Sequence, residues 1–368
     1  MRILFINSVC GIRSTGRIVT DLAEKYLAQG HEVRIAYGRE SVPDKYRTIA
    51  YRIGTEPEVR RNGLTARLLD NEGFNGARAT DRFLQWAEAY DPDVLWLHNI
   101  HGYYIQVERL FRWIKSRPHM AVRWTLHDCW AFTGHCAHFA YVGCDKWQTG
   151  CQSCPQKNEY PKAMLWDHSV ENYRRKREAF CGVQNMTLIV PSEWLAGLVR
   201  QSFLRAYPVE VVYNTIDTTV FRPTPGDFRA KYGLEQKKIV LGVATAWGER
   251  KGLSDFMKLP ALLGADYAVV LVGLTPDQLK RLPPDLTGIE RTNTASQLAE
   301  IYTAADVFVN LTYEDTYPTV NLEAQACGTP CLTYRTGGSV ESMPPENVVA
   351  QGDLNAMAAR IRAVCEEV

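Results

Sequence analysis

Short apolar runs alternate with longer amphipathic stretches along this chain, and the alternation predicts repeated strand–helix–strand units. Ile3–Ile6 reads as a strand and Asn7–Gly16 as the loop after it. Arg17–Gln29 is an amphipathic helix with Ile18, Leu22, Ala23, Tyr26 and Leu27 on one face, and Gly30 ends it. His31–Tyr37 supplies the second strand, so the chain opens on a right-handed parallel βαβ unit. Residues 51–90 read as mostly helical. Asp93–Leu97, Val122–Leu126, Thr187–Val190 and Val209–Tyr213 are further strands, and Ser192 caps a helix after the third of these. Prolines cluster over Ala206–Pro225, where one helical pattern gives way to another, which predicts a hinge. Beyond it Lys238–Gly242, Ala268–Gly273, Val307–Leu311 and Cys331–Tyr334 repeat the strand pattern, and Leu354–Glu367 is the last helix. The expected class is α/β, with two Rossmann-like doubly wound parallel sheets divided between residues 1–205 and 206–368.

A chain of 368 residues has room for two such cores. The formal charge of +1 gives no reason to expect nucleic acid as a partner. No apolar run approaches the ~18–20 residues of a membrane span. Met1–Ile6 is too short for a signal peptide and breaks at Asn7, so the expected compartment is the cytoplasm. Ten cysteines are many for that compartment, where stable disulfides are uncommon.

The chemistry concentrates in ADVFVNLTYEDTYPTVNLEAQACGTP, which ends at Pro330. A buried strand leads into the acidic loop Tyr313-Glu314-Asp315, Pro318 opens a helix, and Gly328 stops it. Amides around Thr319 and Val320 are placed to face an anion with the helix dipole behind them. Asp315 and Glu323 flank the same helix start, and a pair of carboxylates accepts pairs of sugar hydroxyls. A solvated loop and a helix-capping acid would produce the same letters. Arg250 and Lys251 stand at another strand-to-helix loop, suited either to a diphosphate or to plain solvation. In the first half, Gly16 permits close backbone approach to a ligand, or simply starts a helix, and Arg13 lies in the same loop. His98, His101 and His127, the last followed by Asp128, fall at carboxyl ends of strands, where ligands bind in open α/β sheets. Arg174–Arg177 is a basic run on a helix, either a solvated face or a surface for anionic lipid.

Cys136, Cys144, Cys151 and Cys154 lie in an insertion spanning residues 129–154 and end in a Cys-x-x-Cys pair, with His135 and His138 nearby. Four thiolates can enclose one tetrahedral zinc and staple an irregular segment. Disulfides and unlinked packing cysteines are the alternatives.

The Asp315–Glu323 spacing followed by the ACGTP turn resembles the donor-site signature of retaining glycosyltransferases of family four, the glycogen-synthase-like group. Gly337-Gly338-Ser-Val-Glu341 and the Asn214–Asp217 turn are similar to further signatures of that family, and LHNIHGYY and TLHDCWAFTGHC resemble its exopolysaccharide, colanic-acid-type bacterial members. The resemblance implies two Rossmann domains facing across a cleft, the GT-B arrangement. It implies transfer of a sugar, with retention, from a nucleoside-diphosphate-sugar donor to a glycan or lipid-linked acceptor in exopolysaccharide, capsule or O-antigen-type biosynthesis. Glu323 would hold the ribose, Lys251 and Arg250 the donor phosphates, and Asp315, with Glu314 beside it, and His127 the transferred sugar. Asp315 stands where the family usually has glutamate. Arg13, His98, His101 and Asp128 are assigned to the acceptor side. No metal is implied for the chemistry, and a lipid-linked acceptor implies peripheral association with the inner face of a membrane. A nucleotide-sugar epimerase or hydrolase of the same fold is the alternative. Relatives carry further helices after the position of Leu354–Glu367, the last crossing back to the first domain.

Overall fold

The strands form two wholly parallel sheets, whose helix-covered faces explain why so many of their sequences are continuous apolar runs rather than alternations. The computed structural model describes residues 1–367 and divides into two compact units, one ending at Val212 and the other starting at Tyr213.

The first unit contains β1 (Arg2–Asn7), β2 (Glu32–Tyr37), β3 (Ala50–Arg52), β4 (Val94–Leu97), β5 (Ala121–Thr125), β6 (Met186–Val190) and β7 (Val209–Val211). Their order across the sheet is β3-β2-β1-β4-β5-β6-β7, with Phe5 paired to Ile35 on one side and Trp96 on the other. One face packs Val19 and Ala23 of the helix Arg13–Ala28 against Ile3, Phe5 and Ile35. The other carries the larger core, where Phe83 from the helix Ala77–Tyr90 and Phe111 from Val107–Lys115 join Leu4, Leu95 and Trp124.

The second unit repeats the plan with β8 (Lys238–Val243), β9 (Tyr267–Val272), β10 (Leu286–Ile289), β11 (Val307–Asn310), β12 (Cys331–Tyr334) and β13 (Val348–Val349), in the order β10-β9-β8-β11-β12-β13. In each sheet the strand order reverses beside the first strand, between β1 and β4 and between β8 and β11. In open parallel sheets, ligands bind at the carboxyl edge beside such a reversal.

Two expectations change. The helix expected from Arg17 begins at Arg13, so Arg13 and Gly16 belong to its first turns rather than to a loop. Gly16 sits tightly against that loop: a Cβ on it would lie 3.1 Å from Val9 Cγ2, and its carbonyl accepts the Gly11 amide at 3.1 Å. Residues 51–90 are helical over Glu56–Leu69 and Ala77–Tyr90, but Tyr51 and Arg52 complete the short edge strand β3. Asp70, at φ 48, ends the first of these helices in a left-handed conformation.

The Arg174–Arg177 run is a solvated face only in part, with Arg174 and Arg177 exposed and Arg175 and Lys176 drawn inward. Arg174 pairs with Glu171 and Glu178, and Arg175 grips Glu108 and lies over the Phe74 ring. Lys176 is buried, donating to the Trp130 carbonyl at 2.8 Å with its ammonium 3.5 Å from the Trp130 ring centroid. Among the described residues no helix is long and apolar enough to cross a membrane.

Candidate functional site

In the second unit the loops after β8 and β11 are sewn together by backbone. The chain leaves β8, makes a single tight turn at Glu249–Lys251, and passes through Gly252 at φ +73. The Tyr313 amide donates to the Arg250 carbonyl at 2.8 Å, and the Arg250 guanidinium donates to the Glu314 carbonyl at 2.8 Å. Lys251 and Asp315 then meet as an ion pair, with only 22% and 16% of their side chains exposed. Burial pulls the Lys251 ammonium below its ordinary value, while Asp315 opposes that pull.

A third loop closes on the same carboxylate residue. Gly337, at φ +50, packs so tightly that a Cβ would lie 2.1 Å from the Asp315 carbonyl, which accepts the Gly338 amide at 3.0 Å. Pro318 is the N-cap of the helix Thr319–Ala326 and no side chain caps it, so Thr319 and Val320 form a first turn with no side-chain acceptor at its cap. Glu323, in the second turn, is buried and accepts the Tyr302 hydroxyl at 3.1 Å. Glu314 is fully buried. Arg250, Lys251, Glu314 and Asp315 are therefore brought together, and Thr319, Val320 and Glu323 follow on the adjoining helix.

A polar network that the sequence did not announce fixes this helix. Asn310, at the end of β11, donates to Asn321 Oδ1 at 2.8 Å, and Asn321 donates to the Ser339 hydroxyl at 3.1 Å. Ser339 in turn shares a hydrogen with Thr333 at 2.7 Å. Asn321, an amide in the first turn of a buried helix, was the available signal, since such a residue needs partners. Asp255 accepts both the Tyr313 and Tyr334 hydroxyls, at 2.7 and 3.0 Å, and braces the loops from below.

In the first unit the histidines expected at strand ends form two pairs. His98, after β4, and His127, after β5, stack with ring centroids 5.3 Å apart and a 3.0 Å Nδ1–Nε2 hydrogen bond. Burial pushes both below the ordinary histidine range, His127 to about 4, so both rings are neutral and one donates to the other. His101 pairs with Asp128 at 3.0 Å and on its other nitrogen meets the Tyr160 hydroxyl at 3.0 Å. Burial acts against charge on both members of that pair, yet their mutual attraction prevails: His101 titrates above its ordinary value and Asp128 below its own. Glu72 faces the same pair, and burial raises its carboxyl. Arg13 points elsewhere, to an exposed ion pair with Glu40 at 2.6 Å, and Gly16 lies in the helix.

Cys136, Cys144, Cys151 and Cys154 line one small cavity in the insertion. Among the described residues no three His, Cys, Asp or Glu side chains are arranged to hold a metal ion.

Residues 15–215 match the glycosyl transferase 4-like domain family, and residues 237–367 match the group 1 glycosyl transferases. A putative colanic acid biosynthesis glycosyl transferase, WcaC of Escherichia coli K12, is 28% identical over 189 residues, which is 49% of this chain and 45% of that protein. The chain thus spans less than half of that curated relative. Sucrose-phosphate synthase from Thermosynechococcus elongatus superposes with a TM-score of 0.68 at 16% identity, covering 100% of this chain and 90% of that one. HepE of Anabaena, solved in complex with UDP, gives 0.67 at 14% identity with the same coverage. Their likeness is one of fold, that of the GT-B glycosyltransferases. With over half its length matched in the first unit and most of the second unit matched as well, the chain belongs to the group 1, 4-like family of glycosyltransferases, related to exopolysaccharide enzymes.

Proposed function

We propose that the protein transfers a sugar from a nucleoside-diphosphate-sugar to a glycan, carried on a lipid, with retention of the anomeric configuration, in bacterial surface-polysaccharide assembly. The observation that carries this reading is the Lys251–Asp315 pair at the reversal point of the second sheet, directly before an uncapped helix start. A relative named for colanic acid biosynthesis and a fold neighbour solved with UDP support the same substrate class.

In this reading the donor diphosphate lies against Lys251, Arg250 and the amides of Thr319 and Val320. An ammonium carries three N–H donors, so Lys251 can hold Asp315 and a phosphate oxygen at once. The bond from the anomeric carbon to the phosphate oxygen breaks with its electron pair going to the phosphate, the acceptor hydroxyl oxygen bonds to the same face of that carbon, and its proton passes to the departing phosphate. The cations and the helix dipole are already in place for that charge and need no reorganisation. Glu323, fixed by Tyr302, accepts the ribose hydroxyls, while Asp315 orients the sugar. His127 is neutral at physiological pH and contacts the transferred sugar as a hydrogen-bonding group, its ring set by His98. Asp128, His98 and His101 serve the acceptor side. Arg13, paired with Glu40 at the surface, is assigned to the same side.

The proposed site of work is the cytoplasmic face of a membrane. Contact with lipid is assigned to the exposed Met164, Leu165 and Trp166, which adjoin the helix Glu56–Leu69 through a 2.6 Å bond from the Met164 amide to the Arg67 carbonyl.

A thermal-shift screen across UDP-, GDP- and dTDP-sugars tests the reading, because a ligand at a hundred times its dissociation constant adds about 2.7 kcal/mol of stability. One nucleotide class should raise the melting temperature of the wild type and leave Lys251→Met unmoved. Equal shifts in both proteins, or none with any donor, would sink the assignment. Rapid release of free sugar from donor without acceptor would turn it toward a hydrolase.

A further inference from the structure

The insertion after β5 has only three single-turn helical segments, Trp130–Phe132, Ala140–Val142 and Lys146–Gln148, and little regular hydrogen bonding to hold it. Its small core is an aromatic trio, Phe132, Phe139 and Trp147, and the four cysteines line the cavity beside it. Cys136, Cys144, Cys151 and Cys154 form no disulfide.

The backbone around them is shaped to sulfur. The Gly134 amide donates to Cys151 Sγ at 3.1 Å, and the Gln156 amide donates to Cys154 Sγ. Position 134 admits only glycine, since a Cβ there would lie 2.1 Å from the Ser169 carbonyl and 2.8 Å from Cys151 Cβ. Ser153 takes φ +44, turning the Cys-x-x-Cys segment back on itself, and Lys146 locks that turn by donating to the Gln152 and Ser153 carbonyls, each at 3.1 Å. Gly143, at φ +64, delivers Cys144 from the opposite side, and the Trp147 indole fastens the Cys144 carbonyl at 3.2 Å. Amides directed at sulfur favour the thiolate, the form that binds metal, and such donors are the usual outer shell of a thiolate site.

We propose that this cavity is a structural zinc site with Cys136, Cys144, Cys151 and Cys154 as its four ligands. In the arrangement described, Cys136 donates its S–H to Cys154 and no three ligating side chains meet at one point. Closing the site requires the four sulfurs to converge within the one cavity that they line. Zinc replaces four thiol protons, which leave to solvent, and the resulting tetrathiolate carries two negative charges. A buried histidine, His135, lines the same cavity. Four protein sulfurs leave no position open to substrate, so the metal staples the insertion and takes no part in transfer.

Elemental analysis of the full chain, purified without chelator and dialysed, tests this directly, with about one zinc per chain expected. A mercurial thiol reagent should release that zinc in step with about four thiols, read with a chromogenic chelator. Cys144→Ser and Cys154→Ser should lose the metal, and Cys365→Ser, in the other unit, should keep it. Because a variant that unfolds also loses metal, the deciding measurement is made on the wild type: cobalt exchanged for zinc should give the intense visible and sulfur charge-transfer bands of a tetrahedral tetrathiolate. Zinc at background level, a Cys136–Cys154 disulfide in peptide mapping, or cobalt bands of an oxygen-ligated ion would each overturn the proposal. Its failure leaves the donor-site reading untouched, since no donor-binding residue takes part.

Discussion

A methyl group on Gly252 would sit 2.2 Å from the carbonyl oxygen of Leu311, so the loop after β8 and the end of β11 touch backbone to backbone. That approach is what brings Lys251 to Asp315. Gly252→Ala adds both this clash and a left-handed conformation that alanine resists. It should cost about 2 kcal/mol or more and remove the donor-induced melting shift. Gly248→Ala is the control, because Gly248 is extended and nothing lies within 4 Å of its added Cβ. Equal behaviour of the two variants in thermal unfolding and donor titration would show that the close approach does not shape the site.

Stability and function separate at the ion pair itself. Lys251→Met leaves the Asp315 carboxylate in a mostly buried place without its partner, which should destabilise by on the order of 2–4 kcal/mol. Lys251→Met combined with Asp315→Leu removes both charges and should recover much of that loss. Donor turnover should stay depressed by about a hundredfold or more in the double variant, since the leaving phosphate then lacks the lysine ammonium and keeps only Arg250 and the helix amides. Chemical denaturation and initial-rate kinetics on the same preparations check the two halves. Recovery of rate along with stability would mean the pair is only structural.

The same pair marks the boundary of what the chain discloses one residue at a time. Val307–Leu311 and Lys238–Gly242 were legible as strands because parallel strands covered on both sides are apolar throughout. Lys251 and Asp315 each stood in a strand–loop–helix context that suits phosphate and sugar. Their contact was not legible: they are 64 residues apart and meet only because β8 and β11 are neighbours, a fact of topology rather than of periodicity. Tyr302 beneath Glu323 and Asn310 beside Asn321 escaped for the same reason. Arg174–Arg177 misled in the opposite direction. Its charges are local, but Glu108 and Trp130, which absorb two of them, arrive from other elements. Arg13 reads as loop because Asn7–Gly16 lacks helical apolar periodicity, yet the first turn of an exposed helix end needs none.

Membrane contact should follow the exposed apolar segment rather than the basic run. Met164, Leu165 and Trp166 are 57%, 65% and 57% exposed, and Lys162 and Arg67 nearby are exposed cations. Flotation with anionic vesicles should carry the wild type upward and blue-shift Trp166 emission. Leu165→Asp with Trp166→Ser should cut the floated fraction at least fivefold, whereas Arg174→Gln should change it little. The reverse ranking would return the lipid surface to the helix Ser169–Phe180.

The four strand-end groups of the first unit give its stability two pH limits. His98 and His127 are neutral in the fold with lowered pKa values, whereas in the unfolded chain they titrate near the ordinary ~6.5. Below that value the unfolded chain binds more protons, so stability falls as the pH drops from the ordinary histidine range toward about 4 for His127. For His127 alone the full loss is about 3 kcal/mol. His101 has the opposite sign. Its pKa is raised by Asp128, so its contribution is complete below the unfolded value and fades as the pH climbs through the folded one. Melting temperature against pH should therefore peak near neutrality and fall on the acid side. His127→Gln, whose amide can still hydrogen-bond His98 but takes up no proton, should flatten the acid limb and spare the alkaline one. Asp128→Asn should do the converse, removing the His101-linked decline above neutrality while lowering stability throughout. An acid limb unchanged in His127→Gln would show that the stacked pair is not what acid breaks.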